Sequence, residues 1–213
     1  MSPAATIRNH ITLTQALGTV GAYVQSGYVL FGLELRAKDG QEPIVNLNLP
    51  TDSHFEDGLR QIMTQIPGYE YEVVSPHMIN IFPIGAKKDS GDLLNTPVPQ
   101  FDAISVDAGQ ILTSPSDYIP ELAARLYPRK PGEPYGFGGV AVRSTAPPVT
   151  LHLKNATIRD ILNAASEAME EFPPQYPPVG WAYLPQPNPS LPAGGKHSWM
   201  FVFTAPRNWK AFQ

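Results

Sequence analysis

The sequence has no cysteine, no long apolar run and no excess of basic residues. Without cysteine the chain forms no disulfide, no thiolate metal site and no cysteine nucleophile. Because no run of about 18 apolar residues occurs, no helix is expected to span a membrane. A nucleic-acid surface would normally require a surplus of lysine and arginine. The chain has 15 of these residues against 19 acidic ones, a net charge of −4, so nucleic-acid binding is not expected.

The composition is that of an ordered globular protein with one unusual loop. Hydrophobic residues make up 42% of the 213 residues and charged residues 16%, whereas average domains have about 25% charged residues. This balance favours a packed core over disorder. Proline is abundant at 24 residues and is densest between Pro173 and Pro192. Since proline disfavours helices and central strands, we predict a long loop there.

The first residues of the sequence were compared with a secretory signal peptide, which would indicate the cellular compartment. The stretch "MSPAATIRNH" lacks the apolar segment of a secretory signal. We therefore expect either a cytoplasmic protein or one from which a signal peptide has been removed.

Two helices are predicted in the first half of the chain. Thr12 and Gln15 form a capping-box pattern in front of the first, and Ser53 and Glu56 form another in front of the second. In each case apolar residues follow at helical spacing. The second helix ends at the Pro-Gly pair 67–68.

Strand signals surround these helices. A strand is predicted at 28–36 and an alternating one at 44–49, joined by a hairpin turn at 39–40, which is Asp-Gly. A second hairpin over 69–82 turns near the Ser-Pro pair 75–76. The first half therefore combines two helices with short strands.

The same order recurs after residue 100. The corresponding segments are a strand at 101–108, a helix starting at 114–117 and including Ile119, Leu122, Ala123 and Leu126, strands at 135–143 and 147–153, a helix capped by Thr157 and Asp160, and a strand at 199–203. Val149 follows Val45 by 104 residues and Leu162 follows Leu59 by 103. This spacing predicts an α+β fold made of two β-α-β-β-α-β repeats, with helices packed on small mixed sheets.

The stretch "VNLNLPTDSHFEDGLRQIMTQIPGYEYEVVSPHMINIFP", at 45–83, resembles the short N-terminal (STN) domain of secretins and TonB-dependent signalling receptors. The preceding "ITLTQALGTVGAYVQSGYVLFGLEL" is similar to the first helix and second strand of that family. "VTLHLKNATIRDILNAASEA", at 149–168, has a similar core. The resemblance implies two STN-like repeats, at 1–92 and 93–213, the second carrying a proline- and aromatic-rich insert at 172–198.

Two further patterns have competing interpretations. The cluster "TDSHFED", 51–57, offers carboxylates and an imidazole to a metal, but a helix cap explains Ser53 and Glu56, and acids favour a helix N-terminus. The glycines of "YGFGGVAV" precede no helix, so they favour a strand or a bulge over a phosphate loop. No two histidines have the i, i+4 spacing of a helical metal pair. We expect no metal, no cofactor and no catalytic residues.

The insert supplies the candidate binding residues. Aromatic side chains on a stiff, proline-rich backbone lose little entropy on binding and serve as interface anchors. The candidates are Tyr176, Trp181, Tyr183, His197 and Trp199. The alternative is that these rings fold back and cover the sheet.

The resemblance implies a non-enzymatic protein-interaction module of the bacterial cell envelope. We expect a periplasmic or exported protein if a signal peptide was removed, and a cytoplasmic one otherwise. The expected partner is another envelope protein; the sequence identifies no small ligand. Two alternatives stay open: a carbohydrate- or peptide-binding protein that uses the proline and aromatic loop, and a hydrolase with an unfamiliar site of Asp, Glu and His.

Overall fold

The computed structural model describes residues 6–21, 29–35, 42–50, 53–126, 147–169, 179–184 and 198–200. Over these residues the protein has an α+β fold with small sheets, which confirms the predicted fold class. No helix in the described ranges is long and apolar enough to cross a membrane.

The elements alternate between short strands and short helices. In chain order they are β1 (Thr6–Thr12), α1 (Leu13–Gly21), β2 (Leu30–Glu34), β3 (Ile44–Leu49), α2 (Phe55–Met63), β4 (Tyr69–Ser75), β5 (Met78–Pro83), 3-10 turns at Ala86–Lys88 and Leu93–Asn95, β6 (Pro97–Asp107), α3 (Ala108–Thr113), α4 (Pro115–Tyr118), α5 (Pro120–Leu126), β7 (Pro148–Thr157), α6 (Ile158–Glu167), β8 (Trp181–Leu184) and β9 (Ser198–Met200). The predicted strand 135–143 lies outside the described residues.

The chain divides into two compact units. The first contains Met1–Ile84, Pro178–Pro185 and Met200–Gln213, and the second contains Gly85–Pro177 and Gln186–Trp199. The predicted boundary after residue 92 therefore falls inside the second unit. Strand β8 belongs to the first unit because it pairs with β2 there. The prediction of an uninterrupted loop between Pro173 and Pro192 was wrong at β8, which occupies a short stretch without proline.

The first unit contains two sheets. One is the antiparallel pair of β1 and β3. The other contains β4, β5, β2 and β8 of this unit, within the strand order β4-β5-β2-β8-β9, and β2 is parallel to both β5 and β8. The predicted hairpin between β2 and β3 was wrong, because the two strands lie in different sheets. All five residues of β2 are buried, as expected for a strand inside a parallel arrangement with both faces covered. The hairpin of β4 and β5 is confirmed.

One hydrophobic core joins both helices of the first unit to both of its sheets. It contains Leu13, Ala16, Leu17, Val20, Val29, Phe31, Leu33, Leu35, Val45, Leu47, Leu49, Leu59, Ile62, Ile66, Ile79, Ile81 and Ala182. The apolar positions of β3 alternate with exposed ones, so one face of that strand packs inward. Gly58 lets α2 approach α1 closely, since a Cβ there would lie 2.7 Å from Val20 Cγ2.

The hydrogen bonds at the starts of α1 and α2 can be compared with the predicted capping boxes. The Thr12 and Gln15 box is confirmed: Thr12 N donates to Gln15 Oε1 at 3.2 Å, and Gln15 N donates to Thr12 Oγ1 at 3.3 Å. The Ser53 and Glu56 box was wrong by one residue. Ser53 N donates to Pro50 O in a turn, so the helix begins later, and the Asp57 carboxylate accepts from His54 N at 3.2 Å.

The second unit contains the antiparallel pair of β6 and β7. The predicted helix start at Ser114 and Pro115 is confirmed, but α4 ends at Tyr118. Ile119 adopts an extended conformation and Pro120 begins a new helix, because the residue before a proline is driven out of the helical region. Ile119 and Leu122 are fully buried, as their spacing predicted.

At the start of α6 the predicted cap and the observed hydrogen bonds agree in both residues. Thr157 Oγ1 accepts from Asp160 N at 3.3 Å, and the Asp160 carboxylate accepts from Thr157 N at 2.8 Å. The predicted capping box is therefore confirmed. Its two reciprocal bonds occupy main-chain donors that the first helical turn leaves without partners.

Candidate functional site: the edge of strand β4

The predicted aromatic binding residues lie in different parts of the chain. Trp181 and Tyr183 lie in β8 and are only 2% and 5% exposed. Such buried rings belong to the packed sheet and offer little surface to a ligand. Trp199 lies in β9, and Tyr176 and His197 lie outside the described residues.

Trp181 packs against a position that has no side chain. In the register of the parallel strands, Gly32 of β2 lies opposite both Trp181 and Asn80 of β5. A Cβ at Gly32 would lie 2.5 Å from Trp181 Cζ2 and would overlap Asn80 Oδ1. Glycine therefore creates the space that the indole ring and the carboxamide fill. Sequence reasoning missed this because the three residues are far apart along the chain.

The acidic cluster at 51–57 serves the start of α2. The Asp57 carboxylate accepts from His54 N and lies 3.5 Å from Arg60 Nη1. Asp52 lies outside the described residues. Within the described part of the chain, no group of three or more His, Cys, Asp or Glu is arranged to hold a metal ion.

One exposed acid and one exposed imidazole pair across β6 and β7. Asp102 Oδ1 lies 2.6 Å from His152 Nδ1, and Asp102 Oδ2 accepts from Gln100 Nε2 at 2.5 Å. The hydrogen bond with His152, followed by that with Gln100, holds the pKa of the Asp102 carboxyl below its ordinary value. The sequence did not link the two residues, because they are 50 positions apart and become neighbours only through the register of β6 and β7.

The edge strands of the sheets differ in how well they are protected from pairing with another chain. A strand at a sheet edge presents unpaired N–H and C=O groups, which pair readily with another chain unless the fold protects them. Proteins protect edges with proline, bulges, short strands or covering side chains.

The outer edge of β3 is covered by two glutamines, Gln61 of α2 and Gln65, which lies just after the helix ends. Gln65 Oε1 accepts from Asn46 N at 2.9 Å and its Nε2 donates to Asn46 O at 2.8 Å. Gln61 Oε1 accepts from Asn48 N at 2.5 Å and its Nε2 donates to Asn48 O at 3.0 Å. A side-chain amide carries the same donor and acceptor as a peptide group. The two glutamines therefore occupy the positions that an added strand would use.

Other described edges are interrupted. The pairing of β1 shifts between Arg8 and Ile11, where His10 has a positive φ of 53°. The pairing of β6 shifts between Ala103 and Val106, where Ser105 has a φ of 57°. β6 also begins with Pro97 and Pro99, and β7 begins with Pro148. The far edge strand of the five-stranded sheet, β9, has three residues.

Within the described part of the chain, strand β4 is an edge strand without these protections along most of its length. It has seven residues, "YEYEVVS", with no proline or lysine, and its pairing with β5 shifts only after Val73. Ile84 N donates to Gly68 O at 3.0 Å, so Gly68 and Ile84 form a hydrogen-bonded pair. In the same register Glu70 pairs with Phe82 and Glu72 with Asn80, two and four positions further along β4. Since hydrogen-bonded and non-hydrogen-bonded pairs alternate, the main-chain groups of Glu70 and Glu72 point to β5. Those of Tyr71 and Val73 point outward.

The side chains of the outward-pointing residues are also exposed. Tyr71 is 50% exposed and Val73 is 62% exposed. Both alternate along the strand with Glu70 and Glu72, so the two types lie on opposite faces. We call the outward main-chain groups and side chains of Tyr71 and Val73, with the flanking Glu70 and Glu72, the β4 edge. Its strand was predicted from the sequence, but its position at the end of a sheet was not.

No protein-family model matches this chain, and no curated protein or solved structure is significantly similar to it.

Proposed function

We propose that this protein is a non-enzymatic protein-interaction module of the bacterial cell envelope, and that it binds its partner at the β4 edge. The observation that carries the proposal is an edge that no described residue covers: a seven-residue strand with outward main-chain groups at exposed Tyr71 and Val73. In strand addition, main-chain hydrogen bonds supply affinity and alternate side chains supply specificity. Because Gln61 and Gln65 occupy the edge of β3, an incoming strand would pair with β4 instead.

We also propose that the chain consists of two STN-like β-α-β-β-α-β repeats. Support comes from local geometry that recurs in the two units. In each, a first strand carries a positive-φ bulge residue, His10 or Ser105, and runs directly into a helix. That strand pairs antiparallel with a later one, and the later strand precedes an amphipathic helix. The two bulge residues precede their helices by the same number of positions.

The envelope location rests on the resemblance of 45–83 to the STN domains. Fractionation of cells that produce the full-length protein tests it. A periplasmic or envelope-bound chain supports the proposal, whereas a chain recovered only with cytoplasmic markers contradicts the location without affecting the β4 edge.

A photocrosslinking experiment tests the interaction site. A benzophenone amino acid replaces Tyr71 in one variant and Ile104 of β6, which is also well exposed, in a control variant. We expect a discrete light-dependent adduct from position 71 and none from position 104. Adding Val73→Pro to the Tyr71 variant should abolish the adduct, since it removes an outward N–H. Equal labelling at both positions, or no adduct at 71, would contradict the proposed site.

A further inference from the structure

We propose that two copies of this chain pair through the outer edge of β7, so that the sheet of β6 and β7 continues from one copy into the other. We call the outward main-chain groups of Thr150 and His152, with the side chains of Leu151 and Leu153, the β7 edge. The proposal goes beyond the function proposed above, because it concerns the second unit and does not depend on the β4 edge. It is carried by a difference between the two units at corresponding positions.

The pair of β6 and β7 has the same register as the pair of β1 and β3, including the shift at the bulge. In each pair the positive-φ residue of the first strand donates its N–H to a side chain of the second strand. His10 N donates to Asn46 Oδ1 at 3.0 Å, and Ser105 N donates to Thr150 Oγ1 at 3.3 Å. Thr150 therefore corresponds to Asn46, and the residues that follow them on the two strands correspond in order.

This correspondence gives the direction of the main-chain groups in β7. Those of Asn46 and Asn48 point away from β1, since the side chains of the two glutamines bond to them. At the corresponding positions of β7, the main-chain groups of Thr150 and His152 point away from β6. No described residue forms a hydrogen bond with these outward groups. They can therefore pair with a further strand.

The second unit has alanines where the first unit has the covering glutamines. Helix α6 packs beside β7 as α2 packs beside β3. Counted from the first residue of each helix, Ala164 and Ala168 take the places of Gln61 and Gln65. An alanine side chain has no donor and no acceptor, so neither residue can bond to the edge as the glutamines do.

Two leucines at this edge are also less covered than their counterparts. Leu47 and Leu49 of β3 are each 1% exposed, whereas the corresponding Leu151 and Leu153 of β7 are only half-buried. Removal of apolar surface from water is the main favourable term in association. The second unit thus offers both outward main-chain groups and apolar surface at the edge that the first unit covers.

Strand β7 of a second copy is complementary to this edge. In the antiparallel register that pairs Thr150 with His152 of the second copy, outward main-chain groups meet outward main-chain groups. Leu151 then lies opposite Leu151 of the second copy, and Leu153 lies opposite Val149, so the half-buried leucines gain apolar neighbours. The arrangement is two-fold symmetric, which is the commonest symmetry of homodimers.

The ends of β7 keep the pairing short. The strand begins with Pro148, which has no N–H, and Asn155 has a positive φ of 52°. In the two-fold register Lys154 lies opposite Pro148 of the second copy, so no like charges face each other across the strand pair. Because so short a ladder buries less area than a standard interface, we expect a dimer that dissociates on dilution.

Sedimentation of the purified full chain at increasing concentration tests the dimer. The matched variant combines Ala164→Gln with Ala168→Gln, which gives the β7 edge the cover that β3 has. We expect the wild type to dimerise and the double variant to do so at least about tenfold more weakly. Ala124→Gln, at an exposed position of α5, is the control and should leave the dimer unchanged. Circular dichroism and urea unfolding check that each variant is folded.

Single cysteines test the register. The chain has no cysteine of its own, so a disulfide in a single-cysteine variant must join two copies. Opposite residues of a non-hydrogen-bonded pair have Cα atoms about 4.5 Å apart, which a disulfide can span. Leu151→Cys should therefore give a disulfide-linked dimer under mild oxidation. Leu153→Cys is the control, because its Cα would lie about 14 Å from its counterpart, four residues along the strand, and no disulfide should form.

Several results would overturn the proposal. One is a wild-type chain that stays monomeric at all concentrations, and another is a double glutamine variant that dimerises as well as the wild type. Equal disulfide formation at positions 151 and 153 would exclude the register. A dimer that Val73→Pro disrupts, but the double glutamine variant does not, would assign the contact to the β4 edge instead. The photocrosslinking result at position 71 tests only the function proposed above, so the two proposals can fail separately.

Discussion

Gln61 of α2 presents its side-chain amide to the main chain of Asn48 in β3 in the way that a neighbouring strand would. Gln65, four residues further on in the turn after the helix, does the same at Asn46. The helix that packs on the core and the turn that follows it thus also cover a sheet edge, because Gln61 and Gln65 both reach the main chain of β3. The β4 edge has no such cover from described residues.

Replacing Gln61 with alanine should reduce the free energy of unfolding by about 1 kcal/mol, since two partly exposed hydrogen bonds are lost and each contributes modestly in net terms. Gln61→Glu keeps an acceptor and loses the donor, so we expect an intermediate loss. Urea unfolding followed by circular dichroism measures both. Arg60→Ala, at an exposed neighbouring position of α2, is the control and should change stability by no more than about 0.5 kcal/mol. The interpretation fails if Gln61→Ala is no worse than Arg60→Ala.

Gly32→Ala should destabilise the first unit. The new methyl group would overlap Asn80 Oδ1 and the Trp181 ring, and overpacking of this kind costs about 1–3 kcal/mol or more. Gly18→Ala is the matched control, because nothing lies within 4 Å of a Cβ there. Gly18 is inside α1, so alanine should stabilise by about 0.5–1 kcal/mol. Thermal unfolding should therefore shift in opposite directions for the two variants; a shift in the same direction would refute the packing.

Thr157→Ala should weaken the start of α6. It removes the hydroxyl that accepts from Asp160 N, and loss of such a cap costs about 0.5–2 kcal/mol. Thr157→Ser retains the hydroxyl and should stay close to the wild type. Chemical unfolding compares the three proteins. Equal stability of the alanine and serine variants would show that the cap contributes nothing.

His152→Ala should raise the pKa of the Asp102 carboxyl toward the ordinary aspartate value of about 3.9, because it removes the largest cause of the depression. Lys154→Ala should have a smaller effect, since Lys154 acts only through its charge and contributes least. Carboxyl chemical shifts of Asp102, followed by NMR as a function of pH, measure both. A larger shift from Lys154→Ala would contradict the assignment.

The sign of the pH effect follows from the direction of this shift. A carboxyl whose pKa is lower in the folded protein contributes stability above its unfolded value, and the contribution is lost as the pH falls through the folded value. The Asp102 contribution should therefore be present above about pH 4 and disappear in more acidic solution. In the His152→Ala variant the acid-dependent part of the unfolding free energy should shrink.

Short-range features were predicted well from the sequence. The boxes at Thr12 and Thr157 join residues three positions apart, so the sequence contains both partners in one window. The hairpin of β4 and β5 is similarly local. The start of α2 was misplaced by one residue because Ser53 and Glu56 match the cap pattern as well as His54 and Asp57 do in spacing, and a turn at Pro50 decided between them.

The candidate site was harder to predict. Trp181 and Tyr183 looked suitable for binding because they are aromatic and lie among prolines, but β8 pairs with β2 and both rings are buried. Nothing near residue 181 indicates that Gly32 leaves room for the indole. Tyr71 and Val73 were predicted strand residues without any apparent role, and their importance arises from the place of β4 in the order of strands.

By itself, the sequence determined where most helices and strands form, the α+β class and the positions of several caps. These depend on periodicity and on contacts within a few residues, which a linear sequence displays directly. Only the tertiary structure decided which strands pair, which aromatic rings are buried and which sheet edges the described residues leave uncovered. Main-chain hydrogen bonds use the same N–H and C=O groups at almost every residue, so the sequence does not mark the strand that β2 joins or the edge that Gln61 and Gln65 cover.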